Sequence, residues 1–82
     1  MTSRLFVLDV PENVPIVDIA RDHPGVVLEK VGPYFVLAAD GEVIVDRRST
    51  GARHAVWYSW VSGLAGWRIE QWDRDAFRLV PR

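Results

Sequence analysis

The sequence predicts an α+β domain: a mostly antiparallel sheet with one principal helix, in the order β-α-β-β-β followed by a C-terminal β meander. Three observations carry this. Short β-rich segments recur along most of the chain, separated by turn residues. A single amphipathic stretch lies between the first two of them. It is cut off by Asp22-His23-Pro24-Gly25, a break through which no helix continues.

Residues 4–10 form the first strand, ended by Pro11-Glu12-Asn13. Asn13 is placed to cap the helix, and Pro15 is tolerated in its first turn, where a missing N–H would be unpaired anyway. The helix runs to about Asp22, with Ile16, Val17, Ile19 and Ala20 on its apolar side and Asp18, Arg21 and Asp22 facing water. Strands are expected at 26–31, 34–39 and 42–47. Asp40-Gly41, between two apolar runs, predicts a tight antiparallel hairpin, because a type I′ turn needs positive φ at both central residues. Val27, Leu28, Phe35, Leu37, Val43 and Val45 would then share one sheet packed on Ile16, Ile19 and Ala20.

Residues 49–54 read as a loop or short helical turn. Residues 56–61 are ambiguous, since Ala52, Val56 and Trp60 have helical spacing. Their β-branched and aromatic content favours a strand. Gly63 and Gly66 bracket a turn, and residues 67–72 and 76–80 form a final hairpin across Asp73-Arg74-Asp75.

At 82 residues the chain is one domain, 1–82, and a domain this small buries roughly 60% of its unfolded surface. There is no cysteine, so neither disulfide nor thiol chemistry is available. Four Trp, two Tyr and three Phe supply large apolar surfaces in their place. The net charge of −1 argues against nonspecific attraction to nucleic acid or anionic lipid. The first ten residues lack a signal-peptide pattern and no apolar run reaches bilayer length, which points to the cytoplasm and no membrane.

Chemistry is mostly missing. His23 and His54 are 31 residues apart and neither sits in a ligand pattern. His23 suits a helix end, where an imidazolium offsets the dipole. Ser59 and Ser62 have no nucleophile motif around them and read as outward polar positions. Asp73 and Asp75 fit turn chemistry better than acid–base catalysis. No Gly-rich phosphate loop occurs. The expectation is a protein without catalytic residues, cofactor or metal.

The segment from Arg47 to Trp60 is the one suited to binding. Arg47, Arg48, Arg53 and His54 stand beside Trp57, Tyr58 and Trp60. Basic residues interleaved with aromatics suit a single-stranded nucleic-acid platform. They suit a protein interface better, since Trp, Tyr and Arg are the usual anchors there. Any single Trp is more simply a core residue.

The chain also resembles the effector (coupling) proteins of soluble bacterial multicomponent diiron monooxygenases. The resemblance rests on Asp22-His23-Pro24-Gly25, an aromatic-led strand from Tyr34 to Ala39, Gly41, an alternating Val43–Val45 stretch and Arg47-Arg48. Toward the C-terminus it rests on Leu64-Ala65-Gly66, a strand over 67–72, Asp73-Arg74-Asp75 and a last strand over 76–80. It implies a non-catalytic regulatory subunit without cofactor, whose partner is the diiron hydroxylase. Docking over the hydroxylase's active-site helices would couple electron and O2 use to substrate hydroxylation. In that family the segment after the hairpin contributes to docking, which implicates Arg47, Arg48, Arg53, His54 and Trp60. The alternative is a small single-stranded nucleic-acid-binding or general protein-interaction module using residues 47–60.

Overall fold

The computed structural model describes residues 2–82. The strands are β1 (Ser3–Leu8), β2 (Val27–Val31), β3 (Tyr34–Ala39), β4 (Val43–Asp46), β5 (Val61–Ala65), β6 (Trp67–Trp72) and β7 (Ala76–Pro81). The principal helix is α1 (Val14–Arg21), and two single-turn helices follow β4, α2 (Arg47–Thr50) and α3 (His54–Trp57). The α+β class, the one principal helix and the element order are as expected from the sequence.

The strands divide into two sheets, in the orders β2-β3-β1-β5 and β4-β7-β6, with every neighbouring pair antiparallel. This corrects the expected single sheet. Val27, Leu28, Phe35 and Leu37 belong to the first sheet, whereas Val43 and Val45 belong to the second. It also corrects the expected hairpin at Asp40-Gly41. A type I′ turn needs positive φ at both central residues. No non-glycine residue has positive φ, and Gly41 is not among the glycines that do. Residues 40–42 instead carry the chain from one sheet to the other. The indole of Trp67 holds this link by donating Nε1–H to the Gly41 carbonyl at 3.1 Å. The two-residue hairpin lies one connection earlier, at Gly32-Pro33, where Gly32 has φ 56° and Val31 pairs with Tyr34.

Alternation along each strand explains the core. In the first sheet Leu5, Val7 and Leu37 point inward, and in the second Val43, Val45, Trp67, Phe77 and Leu79 do. These residues join Ile16, Val17 and Ala20 of α1 in one cluster, completed by Trp57 and Trp60. Helix α1 starts from a 3-10 turn, Pro11–Asn13, and Asn13 is buried there. Contrary to the cap expected from sequence, its side chain does not cap the helix; it donates Nδ2–H to the Leu8 carbonyl at 2.9 Å, tying the end of β1 to the helix start. The helix stops at Asp22, and Gly25 turns the chain with φ 83°.

Residues 56–61 are not a strand. Helix α3 ends at Trp57, Tyr58 and Ser59 form a turn, and β5 begins only at Val61. Of the helically spaced Ala52, Val56 and Trp60 only Val56 lies in α3; the strand fails because Trp57 and Trp60 both enter the core, and tertiary packing overrides strand propensity. Gly63 lies within β5, so Gly66 alone, with φ 83°, makes the corner into β6. A Cβ at Gly66 would stand 2.7 Å from the Ser3 hydroxyl, so the corner requires glycine on space as well as on φ. The β6–β7 hairpin across residues 73–75 is as expected.

Candidate docking surface

Helix α2 is a locally specified turn. The Asp46 side chain caps it, accepting from Arg48 N at 3.3 Å and from the Ser49 hydroxyl at 3.2 Å. Gly51 closes it in the left-handed region with φ 67°. Thr50 is buried and donates its hydroxyl to the Arg47 carbonyl at 2.7 Å. The turn presents Arg47 and Arg48 on either side of a depression of about 480 Å³, completed by Gly51, Ala52, Arg74 and Asp75.

The residues expected to bind a partner do not form one uniform surface. Arg48, Arg53 and His54 are exposed. Arg47 is half-buried and its guanidinium is engaged with backbone, reaching the Ala52 carbonyl at 3.4 Å and the Arg74 carbonyl at 3.3 Å. Trp60 is only 1% exposed, packed edge-on to Phe77 with centroids 4.9 Å apart. Its expected place on the docking surface is therefore corrected: it is a core residue, and its indole N–H has no partner among the described residues. Trp57 is buried too, donating its indole N–H to the Asp73 carbonyl, while the half-buried Trp72 donates to the Trp57 carbonyl at 3.1 Å. Both indoles of residues 47–60 are thus withdrawn from any single-stranded nucleic-acid platform, leaving Tyr58 and His54 as the exposed rings there. His54 stacks edge-on to Tyr58, centroids 4.9 Å apart. His23 lies 3.1 Å, through Nδ1, from the Pro24 carbonyl.

Charge is distributed unevenly. Arg21, Lys30, Arg68 and Arg78 pair with Asp18, Asp9, Glu70 and Glu42 respectively. Among the described residues, Arg4, Arg47, Arg48, Arg53, Arg74 and Arg82 make no such pair, and three of these, Arg47, Arg48 and Arg74, line that depression. Arg74 was not legible as part of this site. The β6–β7 turn brings it there, held by Arg47 N–H donating to the Asp75 carbonyl at 3.0 Å. Asp73 shapes that turn: its carboxylate accepts from the backbone N–H of Asp75 and Ala76 and from the Gln71 amide. These bonds, the Asp75 one first, hold its carboxyl below the usual value.

A second surface also escaped the sequence reading, the outer face of the first sheet. Register places Phe6 and Leu8 of β1, Val27 and Val31 of β2, and Tyr34 and Val36 of β3 on the side away from the core. Val36 is buried yet stands outside the core cluster, as this assignment requires. Val27 and Val31 are 58% and 55% exposed. Arg4 and Glu29 are the charged members of this face. The outer face of the second sheet is different: Ile44 and Val80 share it with Arg68, Gln71 and Arg78, and Arg78 is paired with Glu42 at 2.8 Å.

Among the described residues no group of three His, Asp or Glu side chains is placed to hold a metal ion. No described helix is long and apolar enough to cross a membrane. No protein-family model and no curated protein matches the sequence. Solved structures do match. The chain superposes on a chain from a phenol hydroxylase–regulatory protein complex with a TM-score of 0.81 at 13% identity, covering 100% of both chains. A chain from a second structure of such a complex matches with a TM-score of 0.74 at 16% identity, over 98% of this chain and 99% of that one. The fold is therefore one found in hydroxylase–regulatory protein assemblies, the fold that the effector resemblance implies.

Proposed function

We propose that the chain is a non-catalytic effector subunit, a single domain over 1–82, that binds the hydroxylase component of a cytoplasmic diiron monooxygenase. It couples electron and O2 use to substrate hydroxylation. The observation that carries this reading is the end-to-end likeness to a chain of a phenol hydroxylase–regulatory protein complex. The residue-level resemblance over Asp22 to Arg48 and Leu64 to Val80 points to the same family independently. All iron and all substrate contact belong to the partner.

The mechanism is a population shift. An effector changes turnover only if it binds one hydroxylase conformation better than another, and each tenfold difference is about 1.4 kcal/mol of bias. Rigid docking suits this task, and a chain with three buried indoles in its core is suited to dock without deforming. Arg47, Arg48, Arg53 and His54 act at the basic end, where unpaired guanidinium groups meet an acidic surface of the hydroxylase. Trp60 supports that end from inside. Arg47 positions the depression through the Ala52 and Arg74 carbonyls and contributes its positive charge.

The test is a titration of the chain into a candidate diiron hydroxylase with its reductase, following product formed per NADH consumed. The reading expects that ratio to rise and saturate at equimolar effector. A ratio that stays flat through excess effector contradicts it.

A further inference from the structure

We propose that the outer face of the first sheet, built on Phe6, Leu8, Val27, Val31, Tyr34 and Val36, is the surface that seats on the hydroxylase. This rests on the effector reading above and goes beyond it, since that reading places the contact only at the arginine end. An antiparallel sheet with one side on the core normally turns polar side chains outward on the other. The second sheet of this same chain does so, with Arg68, Gln71 and Arg78 outward. The first sheet turns only two charged residues outward, Arg4 and Glu29, among Phe6, Leu8, Val27, Val31, Tyr34, Val36 and Ala38, so its outer face is mainly apolar. A contiguous apolar patch on a small monomeric surface marks an interaction site.

The occupant is an apolar protein surface that carries charges of both signs at its margin. Phe6 and Tyr34 stand edge to face with centroids 6.4 Å apart, giving the patch a rigid aromatic centre. Arg4 and Glu29 frame it, and neither is ion-paired among the described residues, although the neighbouring Lys30 is paired with Asp9. Beside them lies a depression of about 250 Å³ lined by both charges together with Val27, Ala38 and Asp40. A partner side chain entering it meets Val27 and Ala38 beside charges of both signs, Arg4 against Glu29 and Asp40. The two surfaces then divide the work. The apolar face sets how long the complex lasts, and the arginine end, acting at a distance, sets how fast it forms.

The test measures binding of the full chain to its hydroxylase at low and moderate salt. Three proteins are compared: wild type, Val27→Lys/Val31→Lys and Val27→Thr/Val31→Thr. Both positions are exposed on an edge strand, where lysine is well tolerated, and the threonine pair preserves shape should the lysine pair fail to fold. The lysine pair should bind at least about 30-fold more weakly, through faster dissociation, with the salt dependence of association unchanged. The threonine pair should fall between. Wild-type affinity in both variants overturns the proposal and leaves the effector reading standing. No binding by wild type overturns both. Sedimentation of the free chain and flotation with phosphatidylcholine vesicles identify other occupants. A wild-type dimer, or vesicle capture, that the lysine pair abolishes while hydroxylase affinity stays unchanged would also overturn it.

Discussion

The two sheets are alike inside and unlike outside. Each contributes inward-facing Val, Leu or Phe residues to the same cluster, and α1 adds Ile16, Val17 and Ala20. Outward, the second sheet shows an ion pair between Arg78 and Glu42 and charged or amide side chains, the dress of a face that meets water. The first sheet shows mainly valines, leucine and aromatics, with Arg4 and Glu29 as its charged members. The outer face of the first sheet adds the buried Val36 and the Phe6–Tyr34 pair to stability, but Leu8, Val27 and Val31 stay exposed there, which costs solubility and suits an association. The contrast separates residues that fold the protein from residues that commit it to a partner.

The likeness of the inner faces is tested by truncating one core leucine in each sheet. Leu37→Ala and Leu79→Ala remove side chains 2% and 0% exposed. Each should cost about 2–5 kcal/mol in a chemical denaturation experiment, a large part of the ~5–15 kcal/mol available to a small domain. A large inequality between them would show that one sheet is peripheral to the fold.

The unlikeness of the outer faces is tested by moving one substitution across them. Ile44→Lys, on the second sheet, should leave hydroxylase affinity unchanged, whereas the Val27→Lys/Val31→Lys pair lowers it at least about 30-fold. Neither should change stability by more than about 0.5–1 kcal/mol, because all three sites are solvent-exposed. Equal effects on binding would erase the distinction.

A smaller effect is expected at the basic end. Arg48→Ala/Arg53→Ala should slow association several-fold at low salt and converge on wild type as salt screens the field. Stopped-flow association rates at two ionic strengths measure this. A loss that is entirely in dissociation and indifferent to salt would move these residues into the buried contact.

The smallest effect concerns the β6–β7 turn that brings Arg74 to the depression. Hydrogen bonds from Asp75, Ala76 and Gln71 lower the Asp73 carboxyl in the folded chain. A carboxyl lowered on folding contributes stability above its unfolded value, and that contribution is lost as pH falls through the folded value. Asp73→Asn should therefore melt slightly earlier than wild type at pH 7, with the gap closing in acid as pH falls below the ordinary carboxylate range. A gap that persists in acid would assign the effect to turn geometry instead of charge.

Much of the fold was legible, and the places where it was not share a cause. Periodicity and punctuation located β1, α1, β2, β3, β4 and the final hairpin, because these depend on residues within a few positions of one another. What failed depended on residues far apart. Asp40-Gly41 has the local signature of a hairpin, yet Trp67, remote in sequence, anchors Gly41 and the chain crosses to another sheet. Residues 56–61 have strand composition, yet the core takes Trp57 and Trp60 from a short helix and turn. Asn13 has cap chemistry, but the Leu8 carbonyl needs its amide. The docking surface followed the same rule. Arg47, Arg48 and Arg53 were legible as a basic run, whereas Arg74 joined them only through strand pairing. The apolar outer face was hidden because alternation says which residues share a side of a strand, but not that both sides are apolar across three neighbouring strands.

The most direct test of the asymmetry is hydroxyl-radical footprinting of the chain, alone and saturated with its hydroxylase. It reads side-chain exposure on both outer faces in one experiment. The account predicts that Phe6, Leu8, Val27, Val31 and Tyr34 lose reactivity in the complex, while Ile44 and Val80 react as they do in the free chain. Protection of Ile44 and Val80 with Phe6 and Tyr34 unchanged would contradict it.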